Sequence, residues 1–247
     1  MLRGSTLYLG EADTTVVTGA GNDQIYTGAG NDNVIAGDGT NTLYLGEGVN
    51  VAITGLGDDL IYTGSAGDVI KAGDGNNRIY AGEGLNTIFT GSGNDQIYTG
   101  AAADLIYSGA GNDTIYALEG NNFISAGTGD DTVYVGSGSD RFELVKGEGA
   151  VTIFGFGNND TIRLGKGLTS KALSFKIQNG DTLLKAGDNL LATLKSVQLG
   201  KVTIDNSPTA SFVSGVFTVG KTGQVSLMIF LQKNQRLISI GHSTKYR

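Results

Sequence analysis

Of the 247 residues 41 are glycine, one is proline and one is histidine, and there is no cysteine or tryptophan. Glycine at more than twice the roughly 7% of ordinary proteins, without collagen's every-third-residue spacing, excludes an ordinary globule and a triple helix. Zero cysteines exclude a disulfide scaffold, and a lone His242 excludes a zinc hydrolase or a histidine triad, so no catalytic residue is expected and the chain reads as non-enzymatic. Charge is split: residues 1–144 carry 19 acids and 4 bases, net −15, and residues 145–247 carry 5 acids and 13 bases, net +8. The acidic part needs cations and offers no nucleic-acid surface.

A period of nine runs without a gap from Met1 to Leu144, taking Gly19 as place one: Gly19-Ala20-Gly21-Asn22-Asp23-Gln24-Ile25-Tyr26-Thr27 is followed in frame by the unit beginning Gly28. Place seven is apolar in all sixteen units, from Leu7, Val16 and Ile25 to Val133 and Phe142, and only Ala52 is small. Places six to nine alternate with the period of two that marks a short strand, and places one to five are glycine, asparagine and aspartate turn chemistry. Two units make an 18-residue coil with a strand on each side, and stacked coils pair their strands in parallel around a thin double row of aliphatics. The expected fold is therefore all-β, a parallel β-roll of eight coils, about 38 Å long at ~4.8 Å per strand.

The runs Gly19 to Tyr26, Gly91 to Tyr98 and Gly109 to Tyr116 resemble the glycine- and aspartate-rich nonapeptide of the RTX (repeats-in-toxin) family. The resemblance covers more than half of the chain; one departure is that the first glycine of the family's pair is here usually Thr, Ala or Ser, as at Thr18, Thr27 and Ala36. It implies a calcium-binding β-roll, with each ion held between neighbouring turns on one edge. Physically, glycines at places one and three (Gly19, Gly21, Gly28, Gly30, Gly91, Gly93, Gly109, Gly111) permit positive φ and inward carbonyls, and the place-five side chain adds an oxygen. Hard oxygens in a flexible shell suit Ca²⁺ better than Mg²⁺. The place-five ligands expected are Asp23, Asn41, Asp59, Asn77, Asp95, Asp113 and Asp131 on one edge, and Asp32, Asn50, Asp68, Asn86, Asp104, Asn122 and Asp140 on the other. Asp95 with Asp113, and Asp113 with Asp131, pair two carboxylates and are expected to bind most tightly.

Between residues 19 and 126 the five Asn units carry an acid at place two (Asp38, Glu47, Asp74, Glu83, Glu119), and the seven Asp units carry none. Either a relocated carboxylate serves as an outer or water-bridged ligand, or the pattern descends from copying of a 36-residue super-repeat, 19–54, 55–90 and 91–126. Ala66 and Ala102 at place three and Leu118 at place one are expected to weaken their turns by about 1 kcal/mol each through a Cβ at positive φ.

Eight tyrosines spaced by 18, Tyr8 to Tyr134, form one outward row at place eight, read as a cross-strand brace with a cell-surface glycan or protein ligand as the rival use. Residues 145–206 read as a β-rich cap, with strands Val151 to Phe154, Thr161 to Leu164, Ala172 to Gln178, Thr182 to Ala186 and Leu190 to Leu194, the last two a hairpin through Gly187-Asp188-Asn189. The segment resembles the sheet that closes RTX arrays. Residues 207–247 form a basic tail, read as a truncated start of another domain; Gly215 to Val225 resembles the opening of a domain that follows such arrays in cyanobacterial extracellular proteins.

No run approaches the ~18 apolar residues that span a bilayer, and Met1-Leu2-Arg3-Gly4 lacks the start of a cleaved signal. The resemblance implies secretion through a type I channel that reads a C-terminal address, folding on extracellular Ca²⁺, and a structural or surface role. The rivals are an adhesin working through the tyrosine row and the export module of a larger secreted enzyme.

Overall fold

The computed structural model describes residues 4–197 and 202–205, and three further strands within 211–241 as backbone. The chain divides into two compact units, Met1–Asp205 and Asn206–Arg247.

In the first unit each nonapeptide forms one strand of three or more residues, and strands fall alternately into two sheets of twelve and ten. Odd units build one sheet (Thr6–Tyr8, Gln24–Tyr26, Thr42–Tyr44 and onward) and even units the other (Thr15–Val17, Asn33–Gly37, Val51–Thr54 and onward). Neighbours pair in parallel with a constant offset of 18: Gln24 with Thr42, Ile25 with Leu43, Tyr26 with Tyr44. The period-two pleat turns place seven inward on both sheets. Ile25, Val34, Leu43, Ala52, Ile61, Ile70, Ile79, Ile88, Ile97, Ile106, Ile115 and Val133 are all fully buried, and Ala36, Leu45, Ala72, Ala81 and Ala117 at place nine are buried beside them, so the core is the place-seven row of each sheet with a partial second row next to it. A slip of one residue would expose the whole row, which is why the register holds over so many coils.

The expected frame ends at Leu144, yet parallel pairing continues. Gly149–Phe154 pairs with Gly129–Tyr134 and Thr161–Leu164 with Arg141–Leu144, now at an offset of 20. Two residues added in the turn after Leu144 lengthen the loop while preserving the pleat. Asn189–Leu194 then joins Gly149–Phe154 in parallel, and Asp181–Ala186 and Leu173–Gln178 continue the sheet antiparallel. The hairpin expected at Gly187-Asp188-Asn189 forms, with Gly187 at φ 61°. Ser170–Ala172 is a turn of 3-10 helix, so the strand expected from Ala172 begins at Leu173. Leu184, Leu191, Ala192 and Leu194 are buried in this closing segment.

The second unit is a three-stranded antiparallel sheet of Ser211–Val219, Val225–Lys233 and Arg236–Gly241. Sequence reading assigned no strands to this basic tail; residues 220–224, part of its resemblance to a following domain, lie outside the described residues, as do 242–247 at its end.

Candidate metal centre

Between the strands, the turns stack into two edges. Place-three glycines take left-handed φ, for example Gly21 (134°), Gly30 (135°), Gly93 (132°) and Gly111 (134°). A Cβ on Gly111 would lie 1.9 Å from the Gly93 carbonyl oxygen, so coils at this spacing exclude any side chain there. Place one behaves differently from expectation: Gly109 is left-handed at 91°, but Gly19, Gly28 and Gly91 lie outside that region. Ala66, Ala102 and Leu118 are also absent from the left-handed residues, so their turns escape the expected strain of a Cβ at positive φ.

The place-five side chains point along the edges and are almost completely buried, none more than 3% exposed. Each Oδ1 accepts the backbone N–H of the place-five residue one coil earlier. On the first edge Asp23 donates to Asn41 (3.0 Å), Asn41 to Asp59 (2.7 Å), Asp59 to Asn77 (3.0 Å), Asn77 to Asp95 (2.7 Å), Asp95 to Asp113 (2.8 Å) and Asp113 to Asp131 (2.9 Å). The second edge runs likewise from Asp32 through Asn50, Asp68, Asn86, Asp104 and Asn122 to Asp140. One step more, Asp140 N–H donates to Asp160 (2.8 Å), a rung the nine-residue frame missed because it sits 20 residues on.

The second carboxylate oxygen is the unsolved part. The Oδ2 atoms of Asp23, Asp32, Asp59, Asp68, Asp95, Asp104, Asp113 and Asp140 are buried with no hydrogen-bond partner. A buried carboxylate without a partner is strongly unfavourable unless protonated or joined by a cation. Desolvation accordingly pushes Asp59, Asp68, Asp131 and Asp140 up to about 6. It raises Asp95 and Asp104 as well, and takes Asp113, with Asp95 and Asp131 as like charges on either side, to about 7. Among the described residues no three acidic, histidine or cysteine side chains gather at one point, so most oxygens around an ion here would come from the main chain. That donor set, one carboxylate oxygen among carbonyls, fits Ca²⁺ and fits poorly with nitrogen- or sulfur-seeking metals.

The place-two acids stand outside this row. They are not at the place-five side chains of their own turns; each accepts the place-two N–H of the next coil, Asp38 from Leu56 (2.9 Å), Asp74 from Ser92 (2.8 Å) and Glu83 from Ala101 (2.7 Å). Sequence reading also passed over place nine, where buried Thr27, Thr54, Thr99 and Ser108 precede aspartate turns. Thr54 Oγ1 donates to the Ala72 carbonyl (2.6 Å) and also lies against the carboxyl of Asp59. The alternation of hydroxyl and alanine at this place was readable in the repeat.

On the outer face the tyrosine row is a continuous stack. Centroids from Tyr8 to Tyr134 lie 4.7 to 4.9 Å apart within 10° of parallel, and Phe154 extends the stack at 4.7 Å.

Two parallel sheets, 18 residues per coil and glycine-aspartate turns with carboxylates buried along the edges define a β-roll. The RTX calcium-binding nonapeptide repeat matches residues 8–43, 44–79, 53–88, 62–97, 80–115, 107–142 and 147–167, more than half of the chain, and the protein belongs to that family. Its repeats are a structural, calcium-binding array. No curated protein sequence matches the chain. Among solved structures, the extracellular lipase LipA from Serratia marcescens is similar over 71% of this chain and 45% of its own, at 15% identity and a TM-score of 0.26. The chain thus spans less than half the length of that lipase.

Proposed function

We propose that the protein is a secreted β-roll protein whose roll edges are closed by calcium, with Asp23, Asp32, Asp59, Asp68, Asp95, Asp104, Asp113, Asp131 and Asp140 each giving a carboxylate oxygen and the place-one and place-three glycines giving carbonyls. The observation that carries this is the row of eight buried Oδ2 atoms without partners. Bound calcium supplies positive charge to that row. The chain's own part is to hold Oδ1 on a neighbouring N–H and so aim Oδ2 inward, and to exclude water by burying the whole side chain. The core is narrow, the place-seven row of each sheet with buried apolar residues, mostly alanine, beside it at place nine, so the edges contribute much of what keeps the coils stacked. In cytosolic calcium the acidic edges repel; at extracellular levels, ions that bind only the coiled form draw folding forward by mass action. Extracellular calcium modules work at dissociation constants near 10⁻⁴–10⁻³ M, and this ladder is read as one of them. The tyrosine row is read as a brace, because rings stacked face to face have no face left for a sugar.

The test is a calcium titration of the full chain followed by circular dichroism and by counting bound ions after equilibrium dialysis, with magnesium as the control. A cooperative gain of β signal with several ions bound, not reproduced by magnesium, is expected. A roll fully formed in excess chelator that takes up no calcium would remove the reading.

A further inference from the structure

The edges contain two kinds of turn that differ in more than charge. In the asparagine turns Oδ1 is already held by the N–H of the previous coil, so the other terminal atom is Nδ2. For Asn41 it donates to the carbonyls of Gly37 (3.1 Å) and Gly39 (3.0 Å) at places one and three of its own turn. Asn77 repeats this with Gly73 (3.2 Å) and Gly75 (3.1 Å), and Asn50 and Asn86 do the same on the other edge. Place one is left-handed in all four turns, φ 67° to 72°, a conformation missing from seven of the nine aspartate turns. Aspartate is isosteric with asparagine and makes the same Oδ1 bond, so its partnerless Oδ2 takes the seat that Nδ2 fills. An oxygen in that position has no N–H to give the turn's carbonyls, where the amide brings two donors to two acceptors.

We infer that the asparagine turns of Asn41, Asn50, Asn77 and Asn86 bind no calcium: the side-chain amide occupies the ion's seat, and between residues 19 and 108 the roll alternates ion-clipped coils with self-clipped ones. The coils 37–54 and 73–90 hold Asn on both edges and lie between coils that hold Asp on both. The inference rests on the reading that calcium enters the aspartate turns.

Two further features move with the place-five residue. The place-nine residue before an aspartate turn is Thr or Ser in seven of nine cases, and before an asparagine turn it is Ala or Leu in all five. The hydroxyl has one proton, which Thr54 gives to the Ala72 carbonyl of the next coil (2.6 Å), so its oxygen keeps its lone pairs for a cation. The place-two acid of an asparagine turn reaches the next coil, where Asp38, Glu47, Asp74, Glu83 and Glu119 all bond the place-two N–H of an aspartate turn. An asparagine turn therefore sends its carboxylate to the neighbouring aspartate turn.

Copying of the 36-residue super-repeat does not account for the linkage. In the third copy the turn equivalent to Asn41 and Asn77 is Asp113, and there all three features have switched together: Ser108 replaces Ala36 and Ala72, and Ala110 replaces Asp38 and Asp74.

The test uses the full chain, calcium alone as the probe, and two variants. Asn41→Asp with Asn50→Asp, carrying Ala36→Thr and Leu45→Thr to supply the hydroxyls, is expected to bind two more ions than wild type and to retain less β signal in chelator. Asp59→Asn with Asp68→Asn is expected to bind two fewer and to retain more. Wild type binding no calcium would take down the proposed function along with the inference. Wild type that binds calcium while Asp59→Asn with Asp68→Asn loses no ion overturns the inference and also strikes Asp59 and Asp68 from the proposed ligands. Wild type that binds calcium while that variant loses its fold in saturating calcium overturns the inference alone. Loss of ions from Asn41→Ala with Asn50→Ala does the same. The Asp59 and Asp68 arm decides the matter even where the first variant does not fold.

Discussion

Replacing Asp95 by alanine removes two supports that can be measured apart. Asn77 N–H, buried and donating to Asp95 Oδ1 at 2.7 Å, is left without its acceptor, a loss of about 1–3 kcal/mol. The Oδ2 aimed into the turn is lost with it, and an ion present at a hundred times its dissociation constant contributes ~2.7 kcal/mol of linked stability. The two together come to ~4–6 kcal/mol at that calcium level, a large part of the stability of an ordinary domain. Asp95→Asn keeps Oδ1 on the Asn77 N–H and gives up only the ion. The assay is urea unfolding at a series of fixed free-calcium concentrations. The slope of stability against the logarithm of free calcium counts the ions released on unfolding. Both variants should lower that count by one, and at every calcium level alanine should lie below asparagine by at least the ladder bond, about 1–3 kcal/mol. A slope equal to wild type would show that Asp95 serves only as a rung. An asparagine variant as unstable as alanine would show that Oδ1 does not carry the ladder.

Carboxyl groups raised by desolvation favour the protonated form in the folded state, so the chelated roll should be fully stabilised below about pH 4 and should lose that stability as pH rises through 6 to 7, the range of Asp59, Asp68, Asp131, Asp140 and Asp113. Calcium requires the ionised form, so its apparent affinity should move the other way and weaken from pH 7.5 to 5; circular dichroism in chelator and calcium titration at both pH values check the two signs, and a chelated roll more stable at pH 7.5 would contradict them. Gly111→Ala places a Cβ 1.9 Å from the Gly93 oxygen at φ +134°, so it should lose more than the ~1 kcal/mol of an unfavourable φ alone. Gly10→Ala, with no atom within 4 Å of its Cβ, is the control, and equal melting of the two would mean the coils are not packed this closely. Tyr62 stacks on Tyr44 and Tyr80 at 4.7 Å each, so Tyr62→Ser should cost about 1–3 kcal/mol at 0.5–1.5 per ring pair, and Tyr8→Ser, with one partner, about half of that. Loss of glycan-array binding in Tyr62→Ser with Tyr80→Ser, without loss of stability, would favour the adhesin reading over the brace.

The coil itself was legible in the chain. An apolar residue every nine positions, with turn residues between, admits few structures other than two strands per 18 residues, and the fully buried row from Ile25 to Val133 follows from that spacing. The two place-five edges were legible for the same reason, since neighbours 18 apart must stack. What the spacing does not carry is how a side chain divides its two terminal atoms. Asp and Asn were both read as ligands, differing only in charge, and only the stacked backbone, by fixing Oδ1 on an N–H one coil away, decided that Nδ2 meets carbonyls at Asn41 while Oδ2 of Asp59 has no hydrogen-bond partner. Asp160 and Phe154 were lost to a two-residue insertion, because a fixed frame cannot see that a longer loop preserves strand pairing. Periodicity is a local property and survives in one dimension. The environment of a second oxygen depends on which backbone atoms arrive from another coil, and that is settled only when the coils are packed.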